Sequence, residues 1–202
     1  MTRSDLRRPI LRLALHLGIS IVLLAGPAVR HTPNLEASPP QFKLYLSSIV
    51  QQSASCDPSP EEQAVADLMI NDPDQERETL TCNPILAQVA SERAVDMGVR
   101  EYFGHVNPDG YGPNYLVEHA GYLLPDYYDQ SPIGNNIESI AAGYTSAAAV
   151  WEAWMGSEAH RVHLLGLTDF WEDQYEYGVG YAYVEGSPYG HYWVVLTALP
   201  GP

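Results

Sequence analysis

Gly178-Val-Gly-Tyr-Ala-Tyr-Val184 is the first of two segments that indicate the fold, and Tyr192-Trp-Val-Val-Leu-Thr-Ala198 is the second. Both are rich in the aromatic and β-branched residues that strands favour. The residues between them, Gly186-Ser-Pro-Tyr-Gly190, are typical of a turn. We therefore predict a β-hairpin at the end of the domain.

Helices are predicted upstream of this hairpin, because apolar residues recur there every three or four positions. The second of them has the clearest start, since Asn83 is a good capping residue and Pro84 suits the first turn. The predicted helices run from Glu61 to before Asp72, from Asn83 past Met97, near Asn114 to Ala120, from Ser146 past Trp154, and from a Ser157 cap to Leu165. Helices followed by a hairpin predict an α+β domain whose helices cover a mainly antiparallel sheet.

The chain has 202 residues and a formal net charge of −15. Five arginines and a single acid, Asp5, lie in residues 1–30, so the remaining chain holds five basic and 24 acidic side chains. Such a surface repels phosphate, which argues against nucleic acid or an anionic membrane as partner. Cations, basic proteins and neutral ligands remain as candidate partners.

The N-terminus is typical of an export signal. Four arginines between Arg3 and Arg12 precede an uncharged apolar stretch, Leu13 to Val29, which has small residues near its end. We predict a signal peptide over residues 1–28, a Pro- and Ser-rich spacer over 29–59 and the domain over 60–202, with an uncleaved anchor as the alternative to cleavage. No later segment is apolar enough to span a membrane, so we expect a secreted or externally anchored protein.

Cysteine occurs twice, at Cys56 and Cys82, and both positions follow the export signal. Two cysteines in an oxidising compartment indicate one disulfide. Two buried free thiols are the alternative.

Three residues are candidates for chemistry. His105 lies in a loop dense in turn-forming residues, Glu138 lies in an otherwise neutral and largely apolar run, and His160 follows a helix with two tryptophans. An unpaired carboxylate is costly to bury, so Glu138 needs solvent or a positive partner. Two imidazoles and a carboxylate can hold a divalent cation, with zinc as the favoured ion, and leave a position open for water. His163, one turn after His160, is expected to point partly to solvent.

Several collinear motifs resemble the CAP superfamily of cysteine-rich secretory proteins, antigen 5 and plant pathogenesis-related 1 proteins. They cover about residues 60–200 and are most similar to the bacterial branch. The motifs are Leu80-Thr-Cys-Asn-Pro-Ile-Leu86, Phe103-Gly-His105 with Pro108 and Gly110, Glu138-Ser-Ile-Ala-Ala-Gly143, Trp154-Met155 with Ser157 and His160-Arg161, Gly178-Val-Gly180 and Tyr192-Trp193.

The resemblance implies an α-β-α sandwich with a cleft lined by histidine and acidic side chains. It carries the family's first histidine and first glutamate over to His105 and Glu138, and His160 over from the bacterial motif alone. Two positions depart from the family pattern. Ser157 stands where eukaryotic members have a second glutamate, and Ser139 stands where the family has asparagine.

Three functions are compatible with these residues. The first is an extracellular binding module that holds a divalent cation and a small-molecule, lipid or protein ligand, because relatives are implicated in binding sterols, lipids, glycans or proteins. The second is a hydrolase, such as a peptidase, acting through a metal or through Ser157 and His160, although no established catalytic motif is present. The third is a purely structural surface domain.

Overall fold

The computed structural model describes residues 56–202. The predicted signal peptide and the spacer up to residue 55 lie outside the described residues. In chain order the elements are α1 (Pro60–Ile70), β1 (Thr81–Cys82), α2 (Pro84–Val99), α3 (Pro113–His119), β2 (Glu138–Ala142), α4 (Ala147–Met155), α5 (Glu158–Leu165), α6 (Asp169–Glu172), β3 (Glu176–Tyr183) and β4 (His191–Ala198).

The sheet has the strand order β1-β3-β4-β2. Strand β4 pairs antiparallel with both β3 and β2, which confirms the predicted hairpin and the mainly antiparallel sheet. Strand β1 pairs with β3 in parallel, so the complete sheet is mixed. Since β1 has only two residues, it covers only the beginning of the outer edge of β3.

Helices cover both faces of this sheet, as the predicted α-β-α sandwich requires. Alternate residues of β4 point to opposite faces: Val194 and Leu196 pack against α2, while Trp193 and Val195 pack with the α1, α4 and α5 side chains. The four side chains are fully buried. The two cores therefore share one central strand.

Two helix starts have the side-chain caps expected of their sequences. The Asn83 side chain accepts hydrogen bonds from the amides of Ile85 and Leu86, which confirms the predicted start of α2. At α1, Ser59 and Glu62 form a reciprocal capping box.

Glu62 has a second role, since it is buried and joins three elements. Its Oε1 atom accepts hydrogen bonds from Ser91 Oγ on α2 at 2.9 Å and from the Tyr181 amide on β3 at 3.0 Å. One carboxylate thus fixes α1 against the helix and the strand beside it.

Helix α2 packs directly on β3 because two glycines leave room for it. A Cβ atom on Gly178 would lie 2.2 Å from the backbone of Leu86 and Ala87, and one on Gly180 would lie 2.1 Å from the backbone of Ala90. Such distances are far inside van der Waals contact. The Gly-Val-Gly segment therefore sets the distance between α2 and the sheet, and α2 carries a central residue of the site described next.

The predicted disulfide is present and joins Cys56 to Cys82. It links the segment before α1 to β1. None of the helices within residues 56–202 is both long and apolar enough to cross a bilayer.

Candidate functional site

His105 and Glu138 lie in direct contact. His105 lies in the loop after this helix, and Glu138 is the first residue of β2. The His105 Nδ1 atom is 2.9 Å from Glu138 Oε1. The Glu138 side chain is fully buried, whereas 43% of the His105 side chain is exposed. The pair thus has an inner carboxylate and an outer imidazole.

A buried arginine on α2 balances the charge of Glu138. Arg93 Nε donates to Glu138 Oε2 at 2.9 Å, and Arg93 Nη2 lies 3.2 Å from Oε1. Desolvation raises the pKa of Glu138, but the charge of Arg93 and the hydrogen bonds from His105 and Arg93 outweigh it, so the pKa is lowered overall. Glu138 is therefore ionised, and Arg93 is the positive partner that a buried carboxylate needs.

The same guanidinium holds the histidine loop in place. Arg93 Nη2 donates to the carbonyl oxygens of Gly104 and His105, at 2.9 and 3.0 Å, and Nη1 donates to the Tyr102 hydroxyl. Further along the loop, Asn107 Oδ1 accepts hydrogen bonds from the Asp109 and Tyr111 amides. These bonds give the loop the fixed shape predicted from its turn-forming residues.

The tautomer of His105 follows from this arrangement. An ionised carboxylate only accepts hydrogen bonds, so Nδ1 carries the proton that it donates to Glu138. In the neutral ring, Nε2 then has a free lone pair. Carboxylate–imidazole pairs of this kind orient histidines that ligate metals.

His160, the third predicted residue, lies on α5. It is half-buried, and its Nδ1 atom is 2.9 Å from Ser157 Oγ. Burial, together with the charge of His105, lowers the pKa of His160. Ser157 occupies the predicted N-cap position of α5, but its side chain makes no capping hydrogen bond. Its hydroxyl contacts His160 instead.

The three predicted ligands do not form a ready three-ligand metal site. Within residues 56–202, no group of three or more His, Cys, Asp or Glu side chains is arranged to hold a metal ion. Both Glu138 oxygens accept hydrogen bonds, Oε2 from Arg93 and Oε1 from Arg93 and His105.

The expectation for His163 was wrong, because this side chain is buried rather than partly exposed to solvent. A step of three helical residues falls about 60° short of a full turn, which is enough to direct His163 to the sheet. There it contacts Ser139 on one side and Thr197 on the other, both at 2.7 Å.

Arg93 is a site residue that was not predicted from the sequence. A signal for it was present, because Arg93 falls on the apolar stripe of α2, between Ala90 and Met97, and both neighbours are fully buried. A charged residue on a buried stripe requires a buried counter-charge. Glu138 is that counter-charge.

Comparisons with known proteins agree with this architecture. A sequence model described as the cysteine-rich secretory protein family, CAP, matches residues 75–197. No curated protein matches the chain. One similar solved structure is an extracellular protein containing an SCP domain from Bacillus anthracis, which is 23% identical over 69% of this chain with a TM-score of 0.51.

This chain spans 40% of the length of that Bacillus protein. An outer surface protein from Borrelia burgdorferi is 19% identical over 79% of this chain and 92% of its own length, with a TM-score of 0.46.

Proposed function

The chain belongs to the cysteine-rich secretory protein family, CAP, and from that membership we propose that it is an extracellular binding module whose cleft binds a divalent cation through His105 and His160. The observation that carries this proposal is that both Nδ1 atoms have hydrogen-bond partners, Glu138 and Ser157. This leaves the Nε2 atoms for a ligand. A serine hydroxyl accepts as well as donates, so a cation would select the tautomer in which His160 donates to Ser157.

Zinc is the favoured ion, since imidazole nitrogen is among its preferred ligands. Glu138 would act as a positioning residue, because it fixes the ring of His105 and is itself neutralised by Arg93. A bound cation would supply a Lewis acid that attracts an oxygen of a ligand in the cleft.

Exposed apolar side chains beside His105 support a ligand with an apolar part, such as a lipid. Phe103 and Val106 flank the histidine in the loop and are 44% and 39% exposed. The Phe103 ring also packs against Tyr189, with centroids 5.7 Å apart. An apolar ligand would cover these side chains and remove them from water.

A hydrolase is the second candidate, and the contact between Ser157 and His160 favours it. The Oγ–Nδ1 distance of 2.9 Å is within the reach of a serine nucleophile and its general base. However, among the described residues no carboxylate forms an ion pair with His160 that would orient it. We therefore place this function second.

Zinc titration of the full chain tests the proposal. In chelator-treated buffer we expect one zinc per chain by calorimetry. His105→Ala and His160→Ala should each weaken binding at least tenfold, because each removes one of two ligands. Glu138→Gln should weaken it about 10- to 100-fold, as is typical when the partner of a ligating histidine is lost.

His119→Ala is the matched control, because His119 is exposed on α3. This variant should bind zinc as the wild type does. Circular dichroism checks that each variant is folded. Folded His105 and His160 variants that bind zinc with unchanged affinity would overturn the cation site. Labelling of Ser157 by a fluorophosphonate, together with absent zinc binding, would establish the hydrolase instead.

A further inference from the structure

A cavity lies between α2, α3 and the loop that joins them. Its volume is about 440 Å³, which is within the usual range for small-molecule sites. Helix α2 lines it with Glu92 and Asp96, which are four residues apart and so share one face. The loop contributes Asp109 and Tyr111, and α3 contributes Tyr115 and His119.

One wall of this cavity is a stack of three aromatic rings. Tyr111 and Tyr115 are nearly parallel, with centroids 4.1 Å apart, and His119 stacks on Tyr115 at the same distance. The Tyr115 hydroxyl also lies 3.1 Å from His119 Nε2. Because the rings already hold one another in place, a ligand that packs against them would lose little binding free energy in ordering these side chains.

The cavity is also lined by three acidic side chains, Glu92, Asp96 and Asp109. Asp96 and Asp109 both form ion pairs with Arg100, and the positive charge of Arg100 partly compensates their negative charges. Glu92 forms no ion pair within residues 56–202, and its hydrogen bond comes from the neutral Gln88 side chain. Glu92 therefore presents an uncompensated negative charge to the cavity.

Arg93 also lines the cavity, but its positive charge is already matched. Its guanidinium donates to Glu138, to the Tyr102 hydroxyl and to the Gly104 and His105 carbonyl groups. The cavity therefore combines an aromatic wall with a net negative charge. This combination suits a cation with an apolar body and disfavours an anion.

We propose that this cavity is a binding site for a small organic cation, an amine carried on an aromatic or alkyl body. The apolar body would pack against the face of Tyr111 that Tyr115 leaves uncovered and against the ring edge of Tyr115, and the ammonium group would pair with Glu92. Its lining does not include His105, Glu138 or His160, so this proposal does not depend on the cation-binding function proposed for those residues.

Three probes of similar shape test the charge requirement. They are 2-phenylethylamine, which is cationic, 2-phenylethanol, which is neutral, and phenylacetate, which is anionic. NMR titration of the full chain should show that the amine binds at least tenfold more tightly than the alcohol, while the anion does not bind. The largest shifts should fall on residues of the cavity.

Substitutions then test each wall. Glu92→Gln should weaken amine binding about fivefold or more and leave binding of the alcohol unchanged, because only the charge is lost. Glu152→Gln on α4 removes the same charge from an exposed position outside the cavity and should leave the affinity unchanged. Tyr115→Leu should weaken both ligands, whereas Tyr115→Phe should retain most of the affinity.

His105→Ala distinguishes this cavity from the proposed cation site of His105 and His160. The variant should bind the amine as the wild type does. Equal affinity for the three probes would overturn the proposal. So would an equal loss in Glu92→Gln and Glu152→Gln, which would indicate a general charge effect, or shifts that map outside the cavity.

Discussion

His163 lies at the centre of a buried chain of polar side chains. Its two ring nitrogens contact Ser139 and Thr197, and Thr197 in turn donates to Gln174 at 2.7 Å. The four residues are at most 3% exposed. Burial, together with the charges of Arg77, His160 and His105, lowers the pKa of His163 well below 6.5. The folded protein therefore holds this ring neutral.

This neutral ring predicts acid sensitivity. Below pH 6.5 the unfolded chain binds a proton at His163 that the folded chain does not bind, so the free energy of unfolding falls as the pH falls. Between pH 8 and pH 5.5 we expect this histidine to remove about 1.4 kcal/mol of stability. Urea unfolding across this range measures the loss, and His163→Gln should show a smaller one.

His119→Gln is the control for that experiment, because it removes an exposed histidine and should keep the wild-type pH dependence. If His163→Gln loses as much stability on acidification as the wild type, then His163 is not the group responsible.

The sequence was sufficient to predict His105 and Glu138 as site residues, but not the arginine that pairs with Glu138. The resemblance and the loop composition selected His105 and Glu138, which do form a hydrogen bond. Arg93 was missed because its counter-charge is 45 residues away in sequence. Helical periodicity describes one element at a time and does not reveal a partner on another.

At the level of elements, the contact between α2 and β3 depends on glycine. We expect Gly180→Ala to lower the free energy of unfolding by about 3 kcal/mol, because the new methyl group would overlap the backbone of Ala90. Urea denaturation of the purified variant measures this loss.

Gly156→Ala provides the comparison. Its φ of −73° suits alanine, and the added Cβ would meet its nearest neighbour at 3.4 Å. We expect a change of less than about 0.5 kcal/mol. Similar stability for the two alanine variants would show that α2 can move away from the sheet at little cost.

The five longer helices and the hairpin were predictable because periodicity and turn residues mark them locally. Strand β2 was not recognised, since Glu138 and Ser139 interrupt its apolar pattern and both are nevertheless buried. Their burial depends on Arg93 and His163, which belong to helices. The four-residue helix α6 is too short to show a period.

At the level of the whole molecule, the disulfide closes a loop that contains α1. Removing it with Cys56→Ser and Cys82→Ser together should lower the free energy of unfolding by about 3 kcal/mol, because the unfolded chain gains freedom. Chemical denaturation with and without reductant measures the difference.

Reductant should destabilise the wild type by a similar amount and leave the double variant unchanged. A double variant as stable as the oxidised wild type would show that the packing of α1 alone determines its position.

The hydrogen bond between Glu62 and the Tyr181 amide affects whether another copy of the chain can pair with the edge of β3. Beyond the two residues of β1, the outer edge of β3 would offer backbone donors to a strand from another copy. The carboxylate of Glu62 already occupies the donor at Tyr181. A second copy could lengthen the sheet at that position only by first displacing a buried side chain, so this edge is shielded from the strand-to-strand growth that leads to aggregates.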